Sequence, residues 1–157
     1  MGKSVKFNVT RYKELLTKTE SSSKQGKEYF EDPEVLELLD FRSSVETQIF
    51  YEQKMEYLKL IQKYLDERIS PGKFRNDYLE MAKNSMKKAR KILLNEEELS
   101  MVWIESGLEK FSSLFDEIHE ACQCIIEFGT GDEGISEDRF RDSIEKTYLQ
   151  MQKFFEE

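Results

Sequence analysis

Six carboxylates fall in an ordered row along the C-terminal half of the chain. Glu98, Glu105, Glu109, Asp116, Glu120 and Glu127 are separated by 7, 4, 7, 4 and 7 residues, steps that keep returning to one face of an α-helix. Glu117 stands beside the row. Acids arranged in this way attract a cationic partner and speed its encounter. They are poorly suited to acid–base catalysis, because no pair is set apart from its many acidic neighbours. From Glu96 to Glu157 there are seventeen acids and five bases. Glu–Lys pairing is therefore scarce, and the face repels itself instead of stabilising its helix. The plain alternative is a solvated helix face in a chain of which 36% is charged.

Other residues of chemical interest carry less. His119 and Cys122 share a face at i and i+3, and Glu120 or Cys124 would be the further zinc ligands. Structural zinc needs four converging ligands, whereas Cys122 falls on an apolar seam and Cys124 points away from it. A Cys122–His119 nucleophile pair lacks an orienting third group. The segment Gly129–Gly134 contains Asp132 and Glu133 but no Lys, so it would repel phosphate, and it lacks the ligand spacing of a calcium loop. It reads as a flexible turn. The expectation is a protein that is not an enzyme and uses no metal or cofactor. A basic run, Lys83, Lys87, Lys88, Arg90 and Lys91, suits nucleic acid in principle. The overall acidity favours its pairing with acidic neighbouring helices instead, so direct nucleic-acid binding is not expected.

The elements that position these residues follow from composition and periodicity. The 157-residue chain has 24 Lys+Arg, 32 Asp+Glu and a net charge of −8. Its 2 Pro and 7 Gly are too few turn signals for a sandwich or barrel of many strands. No apolar run is long enough to span a bilayer. Two free thiols and the absence of a signal-like N-terminus predict a soluble protein of the cytoplasm or a stroma-like organelle interior.

Residues 1–44 read as a basic extension. A short alternation at Val5, Phe7 and Val9 has no visible partner strand, and the polar stretch Thr17–Lys27 reads as a linker. Asp32-Pro33 starts a short helix over 33–42, free to merge with the helix beyond it. Apolar residues at three- and four-residue steps then predict a helix over Val45–Glu67. Ser70-Pro71 starts a second helix, which ends near Asn95. Glu96–Glu98 suits the first turn of a third helix, with Ile104, Leu108, Phe111, Phe115, Ile118, Cys122 and Ile125 as its buried seam. Ser136 caps a fourth, with Phe140, Ile144, Tyr148, Met151 and Phe155 inward. The expected fold is all-α: an antiparallel four-helix bundle over residues 45–157 behind a short helical or irregular extension. Tyr51, Tyr57, Tyr64, Phe74, Tyr78, Phe111 and Phe115 fall at helical spacing and are expected in its core.

The junction Tyr64-Leu65-Asp66-Glu67-Arg68-Ile69-Ser70-Pro71-Gly72-Lys73-Phe74 resembles the first inter-helix junction of the colicin D-type immunity proteins, the bacterial self-protective colicin-like immunity domains. Glu109-Lys110-Phe111 with Leu114-Phe115, and the Ile135-Ser136-Glu137 start of the last helix, are similar to the same four-helix layout. The resemblance spans about residues 55–155. It implies a protein that binds a basic ribonuclease toxin and covers its tRNA-binding active site with acids of the third helix. The residues in the matching stretch are Asp116, Glu117 and Glu120; spacing alone adds Glu105, Glu109 and Glu127. The family does not require the extension at residues 1–44. The other expectation is a helical interaction or scaffold protein unrelated to toxins.

Overall fold

A computed structural model describes residues 4–22, 24–125 and 136–155 with their side chains, and the backbone of 126–128 and 156. Among the described residues the chain forms eight helices and one two-stranded sheet, so the all-α expectation holds apart from that ribbon. It divides into two compact units: Phe50–Ser85 with Gly107–Glu157, and Gly2–Ile49 with Met86–Ser106.

The first unit contains α4 (Lys54–Leu65), the first part of α5 (Pro71–Leu93), α7 (Glu109–Phe128) and α8 (Glu137–Glu156). One core joins them, built from Tyr57, Ile61, Tyr64, Phe74, Tyr78, Phe111, Phe115, Ile118, Phe140, Ile144 and Met151. The expected starts of α5 and α8 are present. Ser70 Oγ accepts from the Lys73 amide at 3.1 Å, and Ser136 Oγ from the Arg139 amide at 3.3 Å. Each satisfies a helix N–H that has no intrahelical partner.

The junction between α4 and α5 is fixed by a helix terminus and by packing. Arg68 N–H bonds to Lys63 C=O at 2.9 Å and closes the end of α4, while Glu67 adopts φ +62°. This is a left-handed helix terminus of the kind glycine normally occupies. Arg141 donates to the carbonyls of Tyr64 and Leu65, and Tyr64 stacks on Phe74 at 4.7 Å between ring centroids.

The second unit departs furthest from expectation. The described residues of 4–44 are mostly helical and help to form a core. The strand β1 (Ser4–Lys6) has a partner after all: it pairs antiparallel with β2 (Trp103–Glu105), with Val5 opposite Ile104. Helix α1 (Val9–Glu20) covers the start of the expected linker, and α2 (Gly26–Glu31) begins before its end. Phe7, Tyr12 and Leu15 are buried with Leu38, Val45, Ile49, Ala89 and Leu99. The expected short helix runs on as α3 (Pro33–Glu52), and the break falls at Gln53, whose side-chain oxygen accepts from Ser85. The third helix does not begin at Glu96. Asn95 caps a single short helix, α6 (Glu96–Leu99), β2 follows, and Gly107 turns the chain at φ +79° before α7 starts at Glu109. The step from Ile104 to Leu108 mimics a helical repeat. Ile104 instead packs from a strand into the second core, because β1 provides the backbone partners that a strand requires.

Among the described residues no helix is long and apolar enough to cross a membrane.

Candidate functional site: the outer face of α7

Seven apolar residues of α7 and its lead-in, Leu108, Phe111, Leu114, Phe115, Ile118, Cys122 and Ile125, are buried. At about 100° per residue, Glu109, Asp116 and Glu120 fall within an arc of about 40° on the opposite side. All three are exposed. Among the described residues no lysine, arginine or histidine forms an ion pair with any of them. Over Glu109, Asp116 and Glu120 the sequence spacing therefore translates into a stripe above a buried seam.

Asp116 differs from its neighbours. Partial burial raises its carboxyl pKa above the ordinary value, Glu120 adds to the rise, and His119 opposes it. The stripe thus contains one carboxyl that takes up a proton more readily than a free aspartate.

Two of the expected contact residues, and the first acid of the row, stand apart from it. Glu117 lies about 80° around the helix from the stripe's centre and accepts a hydrogen bond from Thr147 Oγ1 of α8 at 3.2 Å. Glu105 belongs to β2 in the second unit, not to the helix. Its amide donates to Gln48 Oε1 at 2.9 Å, and its Oε2 is buried without a hydrogen bond. Glu98, which began the row, lies on α6. The reason for both displacements is the strand that interrupts the expected helix. Glu127 lies on the backbone of α7, with its side chain outside the described residues, as is the turn expected at 129–134.

Among the described residues no three His, Cys, Asp or Glu side chains converge on a metal-sized site. Cys122 is fully buried, and burial pushes its thiol up to about 12. It is therefore protonated and inert as a nucleophile.

The basic residues do not behave alike. In the second unit Arg11 makes a two-pronged contact to Glu37, with Nε–Oε1 at 2.9 Å and Nη2–Oε2 at 2.8 Å. Lys13 pairs with Glu96 and Lys18 with Glu34. By contrast, Lys83, Lys87, Lys88, Arg90 and Lys91 are all exposed. None of them has an acid within ion-pair distance among the described residues. The expected pairing of this run with acidic neighbours is thus not what forms.

Sequence reasoning also missed a cleft of about 420 Å³ in the second unit, lined in part by Leu39, Arg42, Glu46, Arg90 and Leu94. A signal for it was available. Val35, Leu36, Leu38 and Leu39 spread over about 160° of the helix, and Leu39, left exposed, lines the cleft.

No family model matches the chain, and neither the curated proteins nor the solved structures searched include a match to it.

Proposed function

We propose that the chain is an acidic binding protein of the immunity type, holding a basic ribonuclease domain and covering its RNA-binding surface with carboxylates of α7. In this reading the helices of the first unit are the four-helix bundle of the colicin-like immunity layout. The observation that supports it most is the stripe of Glu109, Asp116 and Glu120, exposed, without an ion pair among the described residues, and opposite the buried seam. The backbone that carries these carboxylates is already packed, so the ordering cost on binding falls on the side chains alone. A surface that binds tRNA is rich in Lys and Arg, and a fixed row of anions competes for it on the same electrostatic terms as the phosphates.

The test uses purified basic tRNA-cleaving toxin domains. One equivalent of the chain should abolish tRNA cleavage by its cognate domain. The variant Glu109→Gln/Asp116→Asn/Glu120→Gln should relieve that inhibition while retaining its helicity. Inhibition that survives the triple change removes α7 as the contact, and a failure to inhibit any member of the panel removes the immunity reading.

A second reading, a helical interaction protein unrelated to toxins, is favoured by Val5, Met101 and Trp103, which are large, apolar and exposed on or beside the ribbon. Salt separates the two readings. Capture through α7 weakens steeply as ionic strength rises, whereas an apolar contact does not.

A further inference from the structure

The cleft in the second unit has two properties that point to one kind of ligand. Its rim is cationic: Arg42 of α3 and Arg90 of α5 line it, and Lys87 and Lys91 continue the charge along the exposed face of α5. At a rise of 1.5 Å per residue, Lys87 and Lys91 stand about 6 Å apart along the axis, so the charge extends beyond the cleft itself. None of these bases is within ion-pair distance of an acid among the described residues, in contrast to Arg11, Lys13 and Lys18 of the same unit. Its walls are apolar: Leu94 is 88% exposed and Leu39 37%, and Leu93 joins them. The leucines are left facing water while the same unit buries Leu15, Leu38 and Leu99 almost completely.

The cleft does not suit nucleic acid. Among the described residues its only aromatic is Tyr12, which is 3% exposed and whose hydroxyl accepts from Arg42 Nε at 3.3 Å. No ring is available on which a base could stack. Glu46 also lines the cleft; burial raises its carboxyl pKa, and the charges of Arg90 and Arg42 oppose that rise. An anionic group of the ligand is therefore directed to the rim, and what enters must be uncharged. The volume is within the range of side-chain and small-ligand sites.

We propose that this cleft is the docking site for an acidic, leucine-bearing segment of a partner protein, its carboxylates on Lys87, Arg90, Lys91 and Arg42 and one aliphatic side chain between Leu39 and Leu94. The site is independent of the α7 stripe, since a basic nuclease would be repelled by it. Charge complementarity selects the acidic partner, and the exposed leucines provide the apolar anchor that a surface of charge alone lacks.

The experiment uses the full chain and fluorescein-labelled twelve-residue helical peptides, read by fluorescence anisotropy. The first peptide carries Glu and Leu on adjoining faces, the second has its Leu replaced by Ser, and the third has its Glu replaced by Lys. Only the first should bind well. The variant Lys87→Glu/Arg90→Glu should weaken it by about tenfold, the scale of two exposed charge contacts. Leu94→Ser should also weaken it, and Glu46→Gln should tighten it by removing a like charge. Circular dichroism should show every variant still helical. Equal binding of the Ser peptide would overturn the apolar pocket. Competition by a single-stranded RNA twelve-mer as effective as the first peptide would overturn the choice of partner, and no binding of the first peptide would overturn the site. Loss of toxin inhibition through α7 would leave this result unchanged.

Discussion

Thr147 of α8 donates a hydrogen bond to Glu117 of α7 at 3.2 Å, and Thr147 is itself buried. That contact separates Glu117 from the acids on either side of it in sequence. It ties one carboxylate to the packing of two helices and leaves Asp116 and Glu120 to the solvent.

Glu117→Ala and Thr147→Val should therefore each destabilise the protein by about 1 kcal/mol, as expected for a lost hydrogen bond to a carboxylate with its donor buried. Glu109→Gln and Glu120→Gln should lie within about 0.5 kcal/mol of the parent. Urea denaturation of the four variants checks this. Equal effects at Glu117 and Glu120 would mean that the contact contributes nothing.

Asp116 predicts a pH dependence. Its carboxyl pKa is raised in the folded protein by partial burial, so the folded state binds the proton more tightly than the unfolded chain. The resulting destabilisation is absent below the unfolded aspartate pKa and grows as pH rises through the folded value. His119 and Glu120 on the same helix, and Tyr78 from α5, are the titratable groups coupled to it. Asp116→Asn should be at least as stable as the parent at pH 7, and the difference should close as pH falls below about 4. Urea midpoints at the two pH values measure it, and a gap that widens in acid would refute the assignment.

The two thiols should react in two steps. Cys122 is fully buried with a pKa near 12, whereas Cys124 is half-exposed. An aromatic disulfide reagent at pH 8 should release one equivalent of thiolate quickly and the second only after denaturant is added. Cys124→Ser should remove the fast step. Two fast thiols would mean that the core around Cys122 opens on that timescale.

The end of α4 can be improved. Glu67 sits at φ +62°, where a Cβ is strained, and it is exposed. Glu67→Gly should raise stability by about 0.5–1 kcal/mol, the relief of the left-handed conformation less the added chain entropy of glycine. Gly107→Ala, at φ +79° with open space around its Cα, should lower stability by a similar amount. Thermal denaturation of the pair tests both signs together.

Tyr57, Ser85 and Gln53 form a polar cluster, the first two buried, in which Ser85 contacts both other side chains. Burial pushes the Tyr57 phenol up to about 12. Ser85→Ala leaves two polar groups without their partner and should cost about 1–3 kcal/mol, and the same change in a Tyr57→Phe background should cost less. A double-mutant cycle by urea denaturation gives the coupling.

Local chemistry settled much of this protein. Ser70-Pro71 and Ser136 start their helices wherever the rest of the chain lies, because a cap bonds to amides three residues away. The apolar seam of α7 and the acids opposite it follow from a single helical period, so Glu109, Asp116 and Glu120 share a face as their spacing requires. Contacts between distant segments decided the remainder. Val5 could not reveal its partner, since Ile104 lies almost a hundred residues away and reads equally well as the next turn of a helix. That pairing removed Glu98 and Glu105 from the row, because a strand's side chains alternate while a helix's rotate. Thr147 likewise distinguished Glu117 from Glu120, which no spacing on α7 alone could do. The basic run from Lys83 to Lys91, without an ion pair among the described residues, obeys the same rule. A charge run is visible in the sequence, but whether an acid comes to meet it depends on which surfaces the fold brings together.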